Sequence, residues 1–351
     1  MVYGIVTGFR NFLYNSEILK SKEFPFPVIC VGNITVGGTG KTPHTEYITD
    51  LLNKEFKVAV LSRGYKRKSK GFKIADPGSS YTETGDEPLQ IARKFRNVIV
   101  AVDNRRVNGI NEIIKRYPDT SVIILDDAYQ HRRVTPGFTI LLSDYDRLFI
   151  HDHMLPYGNL RENARNMDRA DIILITKCPE NLSPIDRRII VKDVNKSAYQ
   201  NLFFTTIKYN DPLPVFGKQI PFPDLISESD KNTKGAVLVT GIVNPDPLYQ
   251  YLKRSFKELI QLTFADHHPY TEYDVNNILT ARLKLKTPDK YVITTEKDCV
   301  RLLEFTNIAE PLKSTFYYIP LGIDFLNDDK KEFDNLIVNY VRKNKRNNRI
   351  S

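Results

Sequence analysis

A chain of 351 residues with 41% hydrophobic content is long enough to bury a sizeable core, either as two domains or as one large α/β domain with additions. Its formal charge of +9 has a local origin: Arg342, Lys343, Lys345, Arg346 and Arg349 crowd the C-terminus, and Arg63, Lys66, Arg67, Lys68, Lys70 and Lys73 form a second acid-free cluster. Such clusters attract polyanions without choosing between nucleic acid, anionic lipid and phosphorylated substrates. Cys30, Cys178 and Cys299 lie far apart with no CxxC pair, which argues against a disulfide framework or a zinc site and suits a reducing cytosol. No apolar run approaches the roughly 18 residues of a membrane-spanning helix, and the start lacks a basic n-region and a cleavage site, so a cytoplasmic location is expected.

In chain order, Val2, Ile5, Val6, Phe9, Phe12 and Leu13 recur at three- and four-residue spacing, with Tyr3, Arg10 and Tyr14 beside them, and predict an amphipathic helix. Packing on the domain and lying in a membrane interface both remain open for it. Short apolar runs at 28–31, 58–61, 98–102, 122–125, 139–142 and 172–176 then alternate with helix-length segments. That alternation predicts βαβ units and a mostly parallel sheet with helices on both faces, an α/β fold. Proline and polar residues over 210–233 predict a connector. Strand-like runs at 236–240 and 291–295, flanking a helical pattern at 274–285, predict a smaller second α/β subdomain. The expected division is a helix at 1–24, a core at 25–209, the connector at 210–233, the subdomain at 234–341 and a basic tail at 342–351.

The strongest local signal is Thr35-Val36-Gly37-Gly38-Thr39-Gly40-Lys41-Thr42-Pro43, directly after the first strand and before a helical pattern. A glycine loop there lets backbone N–H groups approach phosphates, and the helix N-terminus adds positive potential. Lys41 is placed to reach the β- and γ-phosphates and Thr42 to ligate Mg²⁺. Thr35 stands where the G-x-x-x-x-G-K-[ST] pattern has glycine, and Gly37 and Gly38 supply flexibility in its place. The run 122–125 ends in Asp126 and Asp127, carboxylates at a strand end where a P-loop enzyme holds its metal. His131, four residues on, is ambiguous by itself.

Transfer of a phosphoryl group to a hydroxyl also needs a base and cations. Asp86 and Glu87 in the turn Gly85-Asp86-Glu87-Pro88, Arg105 and Arg106 after the 98–102 strand, and Arg161 and Glu162 after Pro156 and Gly158 are candidates, each of which could also be a solvated loop charge. In α/β sheets such strand ends are where ligands bind. His267 and His268 beside Asp266 form another cluster, in which a carboxylate could orient an imidazole.

Residues 32–43 with Ser62-Arg63-Gly64-Tyr65, Gly85-Asp86-Glu87-Pro88, Asp126-Asp127-Ala128-Tyr129-Gln130-His131, Leu155-Pro156-Tyr157-Gly158-Asn159-Leu160-Arg161-Glu162, Asp266-His267-His268-Pro269-Tyr270 and Thr295-Glu296-Lys297-Asp298 resemble the tetraacyldisaccharide 4′-kinases of lipid A biosynthesis. The resemblance spans roughly residues 1–325. It implies MgATP-dependent phosphorylation of the 4′-hydroxyl of a tetraacyl glucosamine disaccharide 1-phosphate at the inner face of the bacterial inner membrane. It implies Asp86 as base, assisted by His267 or His268, with His268 favoured. Asp126 and Asp127 would handle Mg²⁺, with Glu87, Arg106, His131, Arg161 and Glu162 completing the site.

Two departures from the family pattern stand out. Ala128 and Tyr129 replace a common Gly-Phe, and Ala128 is tolerable unless that position needs a positive φ. The N-terminal segment is shorter and more mixed than a membrane-crossing helix, so peripheral attachment is expected. The alternatives are a P-loop GTPase or ATPase without a lipid acceptor, and a nucleic-acid binder using the basic tail. The second lacks any aromatic RNA motif or base-reading module, and no obligate protein partner is expected.

Overall fold

The computed structural model describes residues 2–218 and 220–347, so Arg349 of the basic tail lies outside the described residues. The chain divides into two compact units, Met1–Lys208 with Ile323–Ser351, and Tyr209–Gly322. The first opens with α1 (Val2–Asn15), β1 (Val28–Gly32), α2 (Lys41–Asn53), β2 (Val58–Ser62), β3 (Lys73–Ile74), α3 (Tyr81–Thr84) and α4 (Asp86–Lys94). It continues through β4 (Ile99–Val102), α5 (Arg106–Arg116), β5 (Val122–Asp126), β6 (Phe138–Asp144), β7 (Ile172–Thr176), α6 (Pro184–Val194) and β8 (Asn201–Tyr209).

The second unit holds β9 (Leu213–Pro214), β10 (Lys234–Thr240), α7 (Asp246–Lys253), β11 (Glu258–Thr263), α8 (Glu272–Lys284), β12 (Asp289–Thr295), α9 (Glu296–Leu302), α10 (Glu310–Lys313) and β13 (Phe316–Ile319). Then β14 (Leu321–Phe325) leads back to the first unit and α11 (Lys330–Asn347).

The large sheet runs β14-β8-β7-β6-β1-β5-β2-β4-β3. Through the run β8-β7-β6-β1-β5-β2-β4 each strand is parallel to the next, and β3 pairs antiparallel to β4 at one edge. Continuous apolar runs follow from this topology, because helices cover both faces and every strand residue meets a core. Ile29, Val31, Val58, Val60, Val122 and Ile124 point to the face packed by Ile48 and Leu52 of α2, whereas Val28, Cys30, Ala59, Leu61, Ile123 and Leu125 meet Ile110 and Ile113 of α5. Strand β1 lies between β5 and β6, where the order of connection reverses, so the loops after β1 and β5 flank the crevice in which an open α/β sheet binds ligands.

The chain divides elsewhere than at the expected boundaries. Residues 210–233 fall inside the second unit, where Val215 and Leu225 are buried in its cores. Helix α11 belongs to the first unit: Phe333, Ile337 and Val341, spaced by four, complete the core over α2, and Asp334 accepts a hydrogen bond from Tyr47 at 2.7 Å. The helix continues past residue 342 to Asn347. The second unit has its own five-stranded sheet, β11-β10-β12-β13-β9, parallel except for β9.

Candidate active site

Strand β1 ends at Gly32, where a Cβ would stand 2.9 Å from the backbone N of Tyr129, so only glycine lets the two segments approach. The loop that follows is fastened from behind. Asn33 Nδ2 donates to Thr39 Oγ1 at 2.8 Å, Gln130 Nε2 to the Asn33 carbonyl at 2.7 Å, and Thr176 Oγ1 to the Thr39 carbonyl at 2.9 Å. Residues 154–162 close its flank, with the Val36 N–H donating to the Asn159 carbonyl at 2.8 Å and the Arg161 N–H to the Ile34 carbonyl at 2.7 Å. Arg147 donates to the Val36 carbonyl at 2.9 Å. Gly37 and Gly40 take φ of 99° and 80°, whereas Gly38 is not among the positive-φ residues, so the turning flexibility comes from 37 and 40. Helix α2 starts at Lys41 with no side-chain cap, leaving its first-turn N–H groups for an anion.

Opposite the loop, β5 delivers Asp126, 1% exposed, whose carboxylate accepts from Thr45 Oγ1 at 3.1 Å. Burial, then the charges of Glu87 and Asp127, push its carboxyl up to about 7 against the pull of Lys41. Burial alone would also raise Asp127, but Lys41, 3.8 Å away, and Arg161, 3.1 Å away, outweigh it and hold that carboxyl below its usual range. Asp127 takes φ of 45°, a strained left-handed conformation for a residue with a side chain. The positive φ thus falls on Asp127, while Ala128 has an ordinary backbone and is 5% exposed.

Cations gather at the same strand ends. Arg106, 2% exposed, donates to the Asp126 carbonyl at 3.2 Å, and burial lowers it to about 10. Burial, then the charges of Arg106 and Arg63, push His131 down to about 4, so it is neutral at physiological pH. Arg161 reaches Asn33 as well as Asp127. Asp86, 4% exposed, opens α4, and one of its oxygens accepts from the Glu87 N–H at 3.0 Å. A Cβ on Gly64 would meet the Thr84 carbonyl at 2.7 Å, and one on Gly85 would meet the Gly64 Cα at 3.1 Å. These two glycines let the Arg63 turn lie against the start of α4.

The structure therefore brings Lys41, Glu87, Arg106, Asp126, Asp127, His131 and Arg161 into one electrostatic neighbourhood. Glu162 is turned inward: fully buried, it accepts from Arg169 at 2.5 Å, Asn166 at 2.9 Å and Asn11 of α1 at 3.1 Å. Sequence reasoning missed Asn33, Thr45, Gln130 and Thr176, because a polar residue, whether in a loop like Asn33 and Gln130 or on a helix or strand like Thr45 and Thr176, announces no partner until the fold supplies one.

The His267–His268 cluster lies in the second unit. His268 Nε2 is 3.0 Å from Asp274 in the capping box of α8, and its ring stacks on Phe264 at 4.8 Å. His267, at φ 59°, instead has Nε2 2.9 Å from Lys297 Nζ, which is itself 3.3 Å from Asp266. Among the described residues no group of three or more His, Cys, Asp or Glu could hold a metal alone. The acidic pair after β5 with the Thr42 hydroxyl still fits Mg²⁺, a hard cation usually held by one or two carboxylates with water and phosphate oxygens completing its shell. Burial raises the Asp126 carboxyl most, and the charges of Glu87 and Asp127 beside it add negative potential that a cation would relieve.

The sequence pattern of the tetraacyldisaccharide-1-P 4′-kinase family matches residues 1–342. Proteins named tetraacyldisaccharide 4′-kinase from Phocaeicola vulgatus and Bacteroides thetaiotaomicron are 46% and 43% identical to this chain, each over all of it and over 95% and 93% of their own lengths. A crystal structure described as apo-form LpxK from Aquifex aeolicus in complex with ATP superposes with a TM-score of 0.73 at 26% identity, covering 97% of this chain and 96% of that one. With the loop, the strand-end carboxylates and the whole-chain match together, this chain belongs to the tetraacyldisaccharide-1-P 4′-kinase family.

Proposed function

We propose that this protein transfers the γ-phosphoryl group of ATP to the 4′-hydroxyl of a tetraacyl glucosamine disaccharide 1-phosphate, a step of lipid A biosynthesis. The observation that carries the reading is the loop 33–40 and Lys41 facing Asp126 and Asp127 in a family member aligned over its whole length. Backbone N–H groups of the loop and of the first turn of α2 bind the phosphates, and Lys41 draws off charge as the γ-phosphoryl group moves. Thr42, Asp126 and Asp127 are the residues that would hold Mg²⁺, which neutralises phosphate charge when bound.

Asp86 accepts the proton of the attacking hydroxyl. Arg106, Arg161 and neutral His131 offer donors to substrate phosphate, while Glu87 and buried Glu162 act on this set through electrostatics and packing. His267 and His268 are assigned to support of the base. Support for either histidine comes from the family resemblance, which favours His268.

No helix among the described residues is long and apolar enough to cross a membrane. Peripheral attachment at the cytoplasmic face is instead the role of α1, which leaves Ile5, Val6, Phe9 and Phe12 between 58% and 69% exposed. The deciding experiment follows labelled γ-phosphate from MgATP into the purified disaccharide lipid in detergent, with hydrolysis measured in parallel. Label in the 4′-phosphorylated lipid supports the kinase; hydrolysis without lipid product would move the assignment to an NTPase without a lipid acceptor.

A further inference from the structure

His44, one turn into α2, is 1% exposed, and its backbone N–H donates to the Gly40 carbonyl at 3.3 Å while each ring nitrogen has a partner. Its Nδ1 lies 2.7 Å from the Gly40 carbonyl oxygen, and its Nε2 lies 2.9 Å from Oγ1 of Thr205, a fully buried residue of β8. A carbonyl oxygen only accepts, so Nδ1 carries the proton, and Nε2 stands at hydrogen-bond distance from the Thr205 hydroxyl.

Peptide planarity gives this contact a consequence. In a trans peptide the carbonyl of one residue points opposite to the N–H of the next. Holding the Thr39 carbonyl with Thr176 aims the Gly40 N–H, and holding the Gly40 carbonyl with His44 aims the Lys41 N–H. Those two amides stand at the turn from loop into helix, where phosphate is bound. Gly40 itself, at φ 80°, has no side chain to fix its own conformation.

We propose that His44 is a positioning residue for nucleotide binding: an Nδ1-protonated imidazole pegged to Thr205 that fixes the Gly40–Lys41 peptide for phosphate. The inference rests on the reading of this loop as the nucleotide site. Its test is calorimetric titration of MgATP into the full chain, its His44→Ala and Thr205→Val variants and the double variant, with ¹⁵N NMR of the histidine rings.

The expected results are about tenfold weaker MgATP binding for His44→Ala, about threefold weaker for Thr205→Val, and no further loss in the double variant, since both remove one peg. The ring spectrum should show a His44 with Nδ1 protonated. Should His44→Ala fail to fold, Thr205→Val and the spectrum decide. Equal affinities in wild type and variants, or a His44 ring without a proton on Nδ1, would overturn the inference alone. A wild-type chain that binds no MgATP would overturn the nucleotide reading and this inference with it.

Discussion

Helices α1 and α2 both belong to the first unit, and they use amphipathicity in opposite senses. Helix α2 buries Ile48 and Leu52 in the sheet's core and places polar residues where partners await them: Glu46 meets Lys94 at 2.6 Å and Gln90 at 2.7 Å. Helix α1 leaves its large apolar side chains exposed and is fastened by polar ones: Asn11 Nδ2 to Glu162, and the Tyr3 hydroxyl to the Arg161 carbonyl at 3.2 Å. A 3.6-residue period therefore establishes that a helix forms without saying which side faces inward. In α2 burial stabilises the site, whereas in α1 Ile5, Val6, Phe9 and Phe12 stay exposed.

The largest expected effect breaks the α2 side of the contrast. Lys41→Ala should lower phosphoryl transfer by about 10³-fold or more, while binding of the chain to anionic lipid vesicles stays near wild type. Asp86→Asn should reduce turnover by about 10²- to 10⁴-fold with little change in MgATP affinity. If turnover is unchanged while Lys41→Ala is dead, Asp86 is not the base.

Breaking the α1 side calls for Ile5→Glu combined with Phe9→Glu. Vesicle co-sedimentation should weaken about tenfold or more, because each side chain loses roughly 1.5–3 kcal/mol of apolar transfer, with MgATP affinity unaltered. Equal sedimentation would show that the exposed face is not the membrane contact.

Two smaller effects sharpen the picture. Asn11→Ala removes a donor from buried Glu162 and should cost about 1–3 kcal/mol in denaturant unfolding, a penalty that Thr7→Ala, whose half-buried hydroxyl bonds only to backbone of its own helix, does not share. His268→Ala should cost about 1 kcal/mol at neutral pH. Burial alone would raise Asp274, yet the bonds from His268 and Thr271 hold its carboxyl below the usual range. A depressed carboxyl stabilises the fold above its unfolded pKa and loses that contribution as pH falls through the native value. The His268→Ala deficit should shrink on acidification, and a deficit independent of pH would assign it to lost stacking on Phe264.

Much of the site was legible because its chemistry is local. A strand, a glycine loop, Lys41 and a helix follow one another in sequence, so backbone N–H groups and an ammonium are delivered together whatever surrounds them. The Asp126–Asp127 pair was legible for the same reason, as carboxylates that end an apolar strand. The α/β class followed from apolar runs alternating with helical segments. Less visible was the return of α11: Phe333, Ile337 and Val341 signal a helix with one apolar side, and nothing local says that the core it completes begins some three hundred residues earlier in the chain.

By itself, then, the sequence determined the α/β class, the phosphate loop and the strand-end carboxylates, all encoded by neighbours along the chain. Only the tertiary structure decided that Glu162 turns inward to hold α1, that Asp127 and not Ala128 carries the positive φ, and that His44 reaches Thr205 across the sheet. Each of these depends on which polar atoms meet once the chain has folded, and hydrogen-bond geometry between distant residues leaves no period and no spacing to read.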